Sequence, residues 1–118
     1  MNQRRRQKLK AQKTPQFTDV QIWNLDRTLA RYIASGLRQF LAQNLHGTPC
    51  DFSNSSHRLD GENSEEMHEW RRLLEKMCWS FEEVAGDFEE KSLGDTEYRA
   101  KVQEGIDLFA KYFLDLWD

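Results

Sequence analysis

Four groups of side chains have the composition of reactive sites, and spacing tests each of them. Glu65-x-x-His68 sets a carboxylate and an imidazole three apart on one helix face, as in di-iron carboxylate bundles. Such a centre needs a second Glu-x-x-His and two further inward glutamates, and the chain has no second motif. His46, Cys50 and His57 could gather around a loop zinc, but zinc takes about four converging ligands at tight local spacing. That set is one ligand short. Ser53, Ser55 and Ser56 precede His57 without a glycine-framed elbow or an orienting acid. Glu82, Glu83, Glu89 and Glu90 offer paired carboxylates, yet a charge run of this kind is first a solvated helix face, and a thin helical bundle seldom supplies the pocket that acid–base work needs. The expectation is a protein that is not an enzyme and takes neither metal nor cofactor.

The elements that must position these groups are helices. Met67, Trp70, Leu74, Met77, Phe81, Val84 and Phe88 fall alternately three and four apart, one stripe along a helix. Leu73, Cys78 and Ala85 widen it, as a helix facing two partners requires. Ser64 caps this helix, which is expected over 64–90. Upstream, Thr18-x-x-Gln21 reads as a capping box, with Phe17 against Ile22 as its hydrophobic staple. Ile22, Leu25, Leu29, Ile33, Leu37, Phe40 and Leu41 then form the stripe of a helix over 18–45, with Asn24 a cap at which it could break. Gly36 weakens its interior, Gly47 reads as its C-cap and Pro49 stops it. Residues 46–63 make a long loop tethered by Phe52 and Leu59. After the turn Ser92 to Asp95, Tyr98, Val102, Ile106, Phe109, Phe113 and Leu116 mark a third helix over 96–117. The fold expected is all-α: an antiparallel bundle of three main helices in a domain over 17–118.

Charge divides the chain. Residues 1–13 carry Arg4, Arg5, Arg6, Lys8, Lys10 and Lys13 and no acid, whereas residues 14–118 hold eleven Lys and Arg against twenty Asp and Glu. The tail 1–16 has almost no apolar content and is expected to be disordered. Two cysteines are too few for a disulfide scaffold, no apolar run follows the N-terminal charges, and no stretch is apolar enough to span a membrane. A cytoplasmic protein is expected.

The strings FTDVQIWNLDRTLARYIASGLRQFLAQNLHGTP, EWRRLLEKMCWSFE and EGIDLFAKYFLDLWD resemble a family of small, uncharacterised phage and prophage helical proteins. The shared pattern is Trp23-Asn24-Leu25-Asp26 with Leu29 and Ala30, Gly47-x-Pro49, Trp70 with Leu74 and Met77, and Phe109-Ala110-x-Tyr112-Phe113. The resemblance implies a viral or prophage origin, and with it a setting in an infected or lysogenic host cell.

Four tryptophans are many for 118 residues. Trp79 lies off the main stripe and Trp23 beside one, so both are candidates for an interface, where Trp is enriched. With Glu82 and Glu83 they make the expected docking residues for a host or phage protein, including a host defence protein held inhibited. The breadth of the second helix, from Trp70 and Leu74 round to Cys78 and Trp79, suggests a homodimer. The alternative function is nucleic-acid binding through Arg4, Arg5, Arg6, Lys8, Lys10 and Lys13, each able to neutralise a phosphate. That arm has no aromatic residue for stacking, so its contacts would be weak and non-specific.

Overall fold

In a computed structural model the chain is described over residues 13–49 and 65–118. Those residues form helices and no strand: α1 Asp19–Trp23, α2 Leu25–Leu41, α3 Glu65–Ala85, α4 Phe88–Lys91 and α5 Thr96–Tyr112, followed by a 3-10 turn Phe113–Asp115. Three are long, as the periodicity requires. Ser64, Phe52 and Leu59 lie outside the described residues.

The first expected helix is broken at Asn24. The capping box is present: Gln21 N–H donates to Thr18 Oγ1 at 3.2 Å, and Thr18 N–H to Gln21 Oε1 at 2.8 Å. Asn24 then turns its amide back onto the Val20 carbonyl at 3.3 Å, and Thr28 Oγ1 donates to the Gln21 carbonyl at 3.0 Å. These bonds fold α1 back along α2, so the Phe17 ring meets Tyr32 edge-on at 6.1 Å. Phe17 is thereby taken up by Tyr32, and Ile22, its expected staple partner, is exposed.

α2 stops at Leu41, four residues short of the expected end. The Arg71 guanidinium accounts for this by donating to the Leu41 and Gln43 carbonyls at 2.9 and 3.0 Å, satisfying acceptors that another helical turn would have used. Gly47 is therefore not the C-cap. Leu45, beyond the helix end, is wholly buried. In α3 the break comes at Gly86–Asp87, after which α4 sets the Phe88 ring 6.0 Å from Tyr98.

α3 is the centre, packed against α2 on one side and α5 on the other. Its buried residues are Met67, Trp70, Leu73, Leu74, Met77, Cys78, Ser80 and Phe81, nearly the whole expected stripe. Fully burying a side chain such as Leu74 or Met77 stabilises the fold by roughly 2 kcal/mol. Trp70 meets Tyr112 at 5.4 Å and Phe81 meets Phe109 at 4.9 Å, both edge to face.

The flanking helices use most of their expected stripes, with Ile33, Leu37, Phe40 and Leu41 of α2 and Val102, Ile106 and Phe109 of α5 buried or packed on the core. α2 also buries Ala30 and Ala34, while Leu25 and Leu29 at its start stay exposed. α5 also buries Gly105 and Tyr112, and Phe113, in the turn past its end, is exposed. In both, small residues face α3. A Cβ on Gly105 would stand 2.6 Å from the Lys76 carbonyl oxygen, so the backbones there approach more closely than any side chain permits.

Candidate functional site

Between α3 and α5 the chain turns through its most acidic stretch. Residues 82–97 contain seven acids and one lysine. Glu82 and Glu83, singled out from sequence, are engaged as latches within the chain. Glu82 accepts from Arg38 Nε at 3.0 Å and Nη2 at 2.8 Å, while Arg38 Nη1 reaches Glu75 at 2.6 Å. The fork fastens α2 to α3, and the Arg38 bonds hold the Glu82 carboxyl below its ordinary range. Glu83 accepts from Lys91 Nζ at 2.9 Å and from the Tyr98 hydroxyl at 2.7 Å. Those bonds, Lys91 first, lower its carboxyl, and burial together with the Glu83 contact pushes the Tyr98 phenol up to about 12.

With those two acids engaged, the outward charge is carried by Asp87, Glu89, Glu90, Asp95 and Glu97, all exposed. Asp95 accepts the Tyr98 N–H at 3.0 Å as the α5 cap, and Glu89 lies 3.7 Å from Arg27. Asp87, Glu90 and Glu97 make no ion pair among the described residues. Leu93 stands 80% exposed in their midst, raised by a turn in which Gly94 takes φ +72°, a conformation that favours glycine.

Trp79 is 37% exposed, with its ring edge-on to Tyr98 at 6.0 Å. It borders a small cleft of about 180 Å³ with Lys76, Lys101 and Glu104, where Lys76 Nζ donates to Glu104 at 2.7 Å. Trp79 and Glu83 thus share Tyr98, Glu82 points to α2, and Trp23, 86% exposed on α1, shares no hydrogen-bond or ring partner with the other three among the described residues. The four do not form one patch. Of the apolar arc expected to drive dimerisation on the second helix, Trp70, Leu74 and Cys78 are buried within the chain and Trp79 stays exposed.

Sequence reasoning missed the large exposed surface on α1 and α2. Val20, Ile22, Trp23, Leu25, Leu29 and Tyr32 all lie open there. A cleft of about 340 Å³ beside them is lined by Val20, Asn24, Arg27, Thr28, Arg31 and Tyr32. The signal was available: Ala30 and Ala34 stand four apart, the spacing of a close helix contact.

Among the described residues no three His, Cys, Asp or Glu gather as metal ligands would. Glu65 and His68 are both exposed at the start of α3, and Cys50, His57 and the three serines lie outside the described residues. His46 Nδ1 is 3.1 Å from the Asp118 carboxylate, which also accepts the His46 and Gly47 N–H groups. Burial raises the Asp118 carboxyl, but those bonds outweigh it and leave it lowered. The Cys78 thiol is pushed up to about 11 by burial and is no nucleophile at neutral pH. Of the basic arm only Lys13 is described, and it is exposed; Arg4, Arg5, Arg6, Lys8 and Lys10 are not among the described residues. No helix among the described residues is long and apolar enough to cross a membrane. No protein-family model, curated protein or solved structure matches the chain.

Proposed function

We propose that the chain works by docking on another macromolecule rather than by catalysis, as a phage or prophage accessory protein that binds a host or phage protein in the cytoplasm. The observation that carries this is the acidic corner. Asp87, Glu90 and Glu97 lie close in sequence on either side of an exposed Leu93, on a turn fixed by Gly94 and by the Glu83 latch. An exposed apolar side chain in so acidic a stretch complements a basic surface holding an apolar recess. Such a corner competes for a protein face that otherwise receives nucleic acid, which is how inhibition of a host defence protein would come about. The sequence pattern shared with small phage proteins supports the setting.

The antiparallel sense of the bundle belongs to this proposal. It is supported by Arg71 reaching Leu41 and Gln43, Arg38 reaching Glu82, and Arg27 lying beside Glu89.

The test is affinity capture from host lysate with the wild-type chain and with the triple reversal Asp87→Lys, Glu90→Lys, Glu97→Lys. The wild type should hold a specific protein that elutes as salt rises, and the reversal should lose it at least tenfold while keeping its helical circular dichroism. A partner held equally by both, or a robust turnover activity with no partner, defeats the proposal.

A further inference from the structure

The six exposed side chains of α1 and α2 are an anomaly in a chain of this size. α1 buries none of its own residues. Its fold-back along α2 nevertheless fixes it, through the Thr18–Gln21 capping box and the Thr28 bond to Gln21. Ordering five residues costs on the order of 1–2 kcal/mol each in backbone entropy, and Val20, Ile22 and Trp23 recover little of that from within the chain. On α2, Leu25, Leu29 and Tyr32 are spaced four and three apart, so they share one face beside α1.

The six are between 37% and 86% exposed. Val20 and Ile22 stand two apart on α1 and do not share a face, so one surface holds one of them with Trp23, Leu25, Leu29 and Tyr32. At up to 150–250 Å² for the larger side chains, these present on the order of 500 Å² of apolar surface. A monomer's largest exposed apolar patch is typically about 300–600 Å², and a standard interface takes about 800 Å² from each partner. Apolar side chains alone therefore supply more than half of what one side of a stable interface requires, and the polar atoms around them supply the rest.

We propose that a second copy of this chain covers it, as a two-fold symmetric dimer with α1 and α2 of one protomer against α1 and α2 of the other. An isologous interface must be complementary to itself, so its rim has to carry both signs of charge. This one does. Asp19 and Asp26 are exposed on α1 and α2 next in sequence to Val20 and Leu25, and Arg27 and Arg31 line the adjoining cleft. Asp19 and Arg31 form no ion pair among the described residues, which leaves Arg31 of one protomer free to meet an acid of its twin. Glu89, the corner acid nearest this face, already sits 3.7 Å from Arg27, which reduces repulsion between the two acidic corners. A strongly basic partner would find Arg27 and Arg31 in its way; a twin does not. The dimer is independent of the acidic-corner reading, and either can fail without the other.

Light scattering on the full-length chain at tens of micromolar tests it. The wild type should return about 28 kDa, twice the 14.1 kDa of one chain. Trp23→Glu should weaken association at least about thirtyfold, the loss of one interface hot spot, and return a monomer. Circular dichroism should be unchanged, because Trp23 contributes nothing to the core. Trp79→Ala and Leu114→Glu, the latter at a side chain 85% exposed after α5, should remain dimeric. A wild-type mass near 14 kDa overturns the proposal, whether the face is then covered by the chain's own residues 1–16 or by another protein. A Trp23→Glu dimer, or a monomer produced by Leu114→Glu, also overturns it by placing the interface elsewhere.

Discussion

Gly105→Ala in α5 isolates the close approach on which the α3–α5 packing depends. An added Cβ would overlap Ser80 Oγ, stand 2.5 Å from Ser80 Cβ and stand 2.6 Å from the Lys76 carbonyl oxygen. Carbon pairs are comfortable at about 3.5 Å, so the shortfall is about 1 Å. Ser80 can turn its hydroxyl aside, but a helical carbonyl cannot move, and α5 must back away from α3. Overpacking of this kind costs about 1–3 kcal/mol, and the parted interface forfeits a further share of its dispersion contacts. Helix propensity works the other way, favouring Ala by about 1 kcal/mol. The net expectation is a loss of about 2 kcal/mol, or a fall of about 1 M in the urea midpoint at an unchanged slope. Gly36→Ala is the internal control: nothing lies within 4 Å of its Cβ, so propensity acts alone and the variant should gain about 0.5–1 kcal/mol. Adding Ser80→Gly to Gly105→Ala should recover part of the loss, but not all, because the Lys76 carbonyl remains. Urea melts followed by circular dichroism at one protein concentration decide the matter. A Gly105→Ala variant as stable as the wild type would refute the close contact between α3 and α5.

The Arg38 fork should cost about 1 kcal/mol to remove as Arg38→Met, at the upper end for a surface pair because it is bidentate and joins two helices, but limited by side chains that are 42% exposed. The same latches set the acid limb of stability. Glu82 and Glu83 titrate below their unfolded values of about 4.3, so their contribution is complete above about pH 5 and drains away as pH falls through the lowered native values. Arg38→Met should show a shallower acid loss in urea melts between pH 6 and pH 3, and identical slopes in the two proteins would refute the assignment. The arm's contribution is read by titrating labelled DNA and RNA at roughly 50 and 200 mM salt with the full chain and with a chain beginning at Thr14. Any binding should be weak, should fall steeply with salt and should vanish with the arm; affinity that survives either change rules out the electrostatic mechanism.

The legible part of this fold was α3. Its apolar residues are large, regularly spaced and flanked on both sides, so almost any packing buries the same set. The capping box at Thr18 and the break at Asn24 were legible too, because hydrogen-bonding side chains at helix ends act locally. What hydrophobicity alone concealed was the part played by small residues on α2 and α5. Periodicity weights Leu25 and Leu29 heavily and Ala30, Ala34 and Gly105 hardly at all, yet the small residues decide how closely the faces can touch. The end of α2 was hidden for a related reason: it is set by Arg71, thirty residues downstream of Leu41, and no local rule contains it. For the candidate site, sequence marked the acidic run Glu82, Glu83, Glu89 and Glu90 but chose Glu82 and Glu83 for docking, whose charges are spent on Arg38, Lys91 and Tyr98. It found Trp23 without the exposed residues near it, since Leu25 and Leu29 were expected in the core and stand open instead.

Because α3 stands between its two long neighbours, it also insulates them. Among the described residues, a load on α5 or on the corner at its start reaches α1 and α2 through movement of α3 as a rigid rod, through the Arg27–Glu89 contact at 3.7 Å, and through the Asp118 carboxylate that holds the His46 and Gly47 N–H groups past the end of α2. A close-packed rod with Trp70, Leu74 and Met77 at its core yields little to either side. Binding at one flank should therefore leave affinity at the other nearly unaltered, with a coupling free energy close to zero. If the acidic corner and the face of α1 and α2 are both occupied as proposed, neither occupation should be conditional on the other.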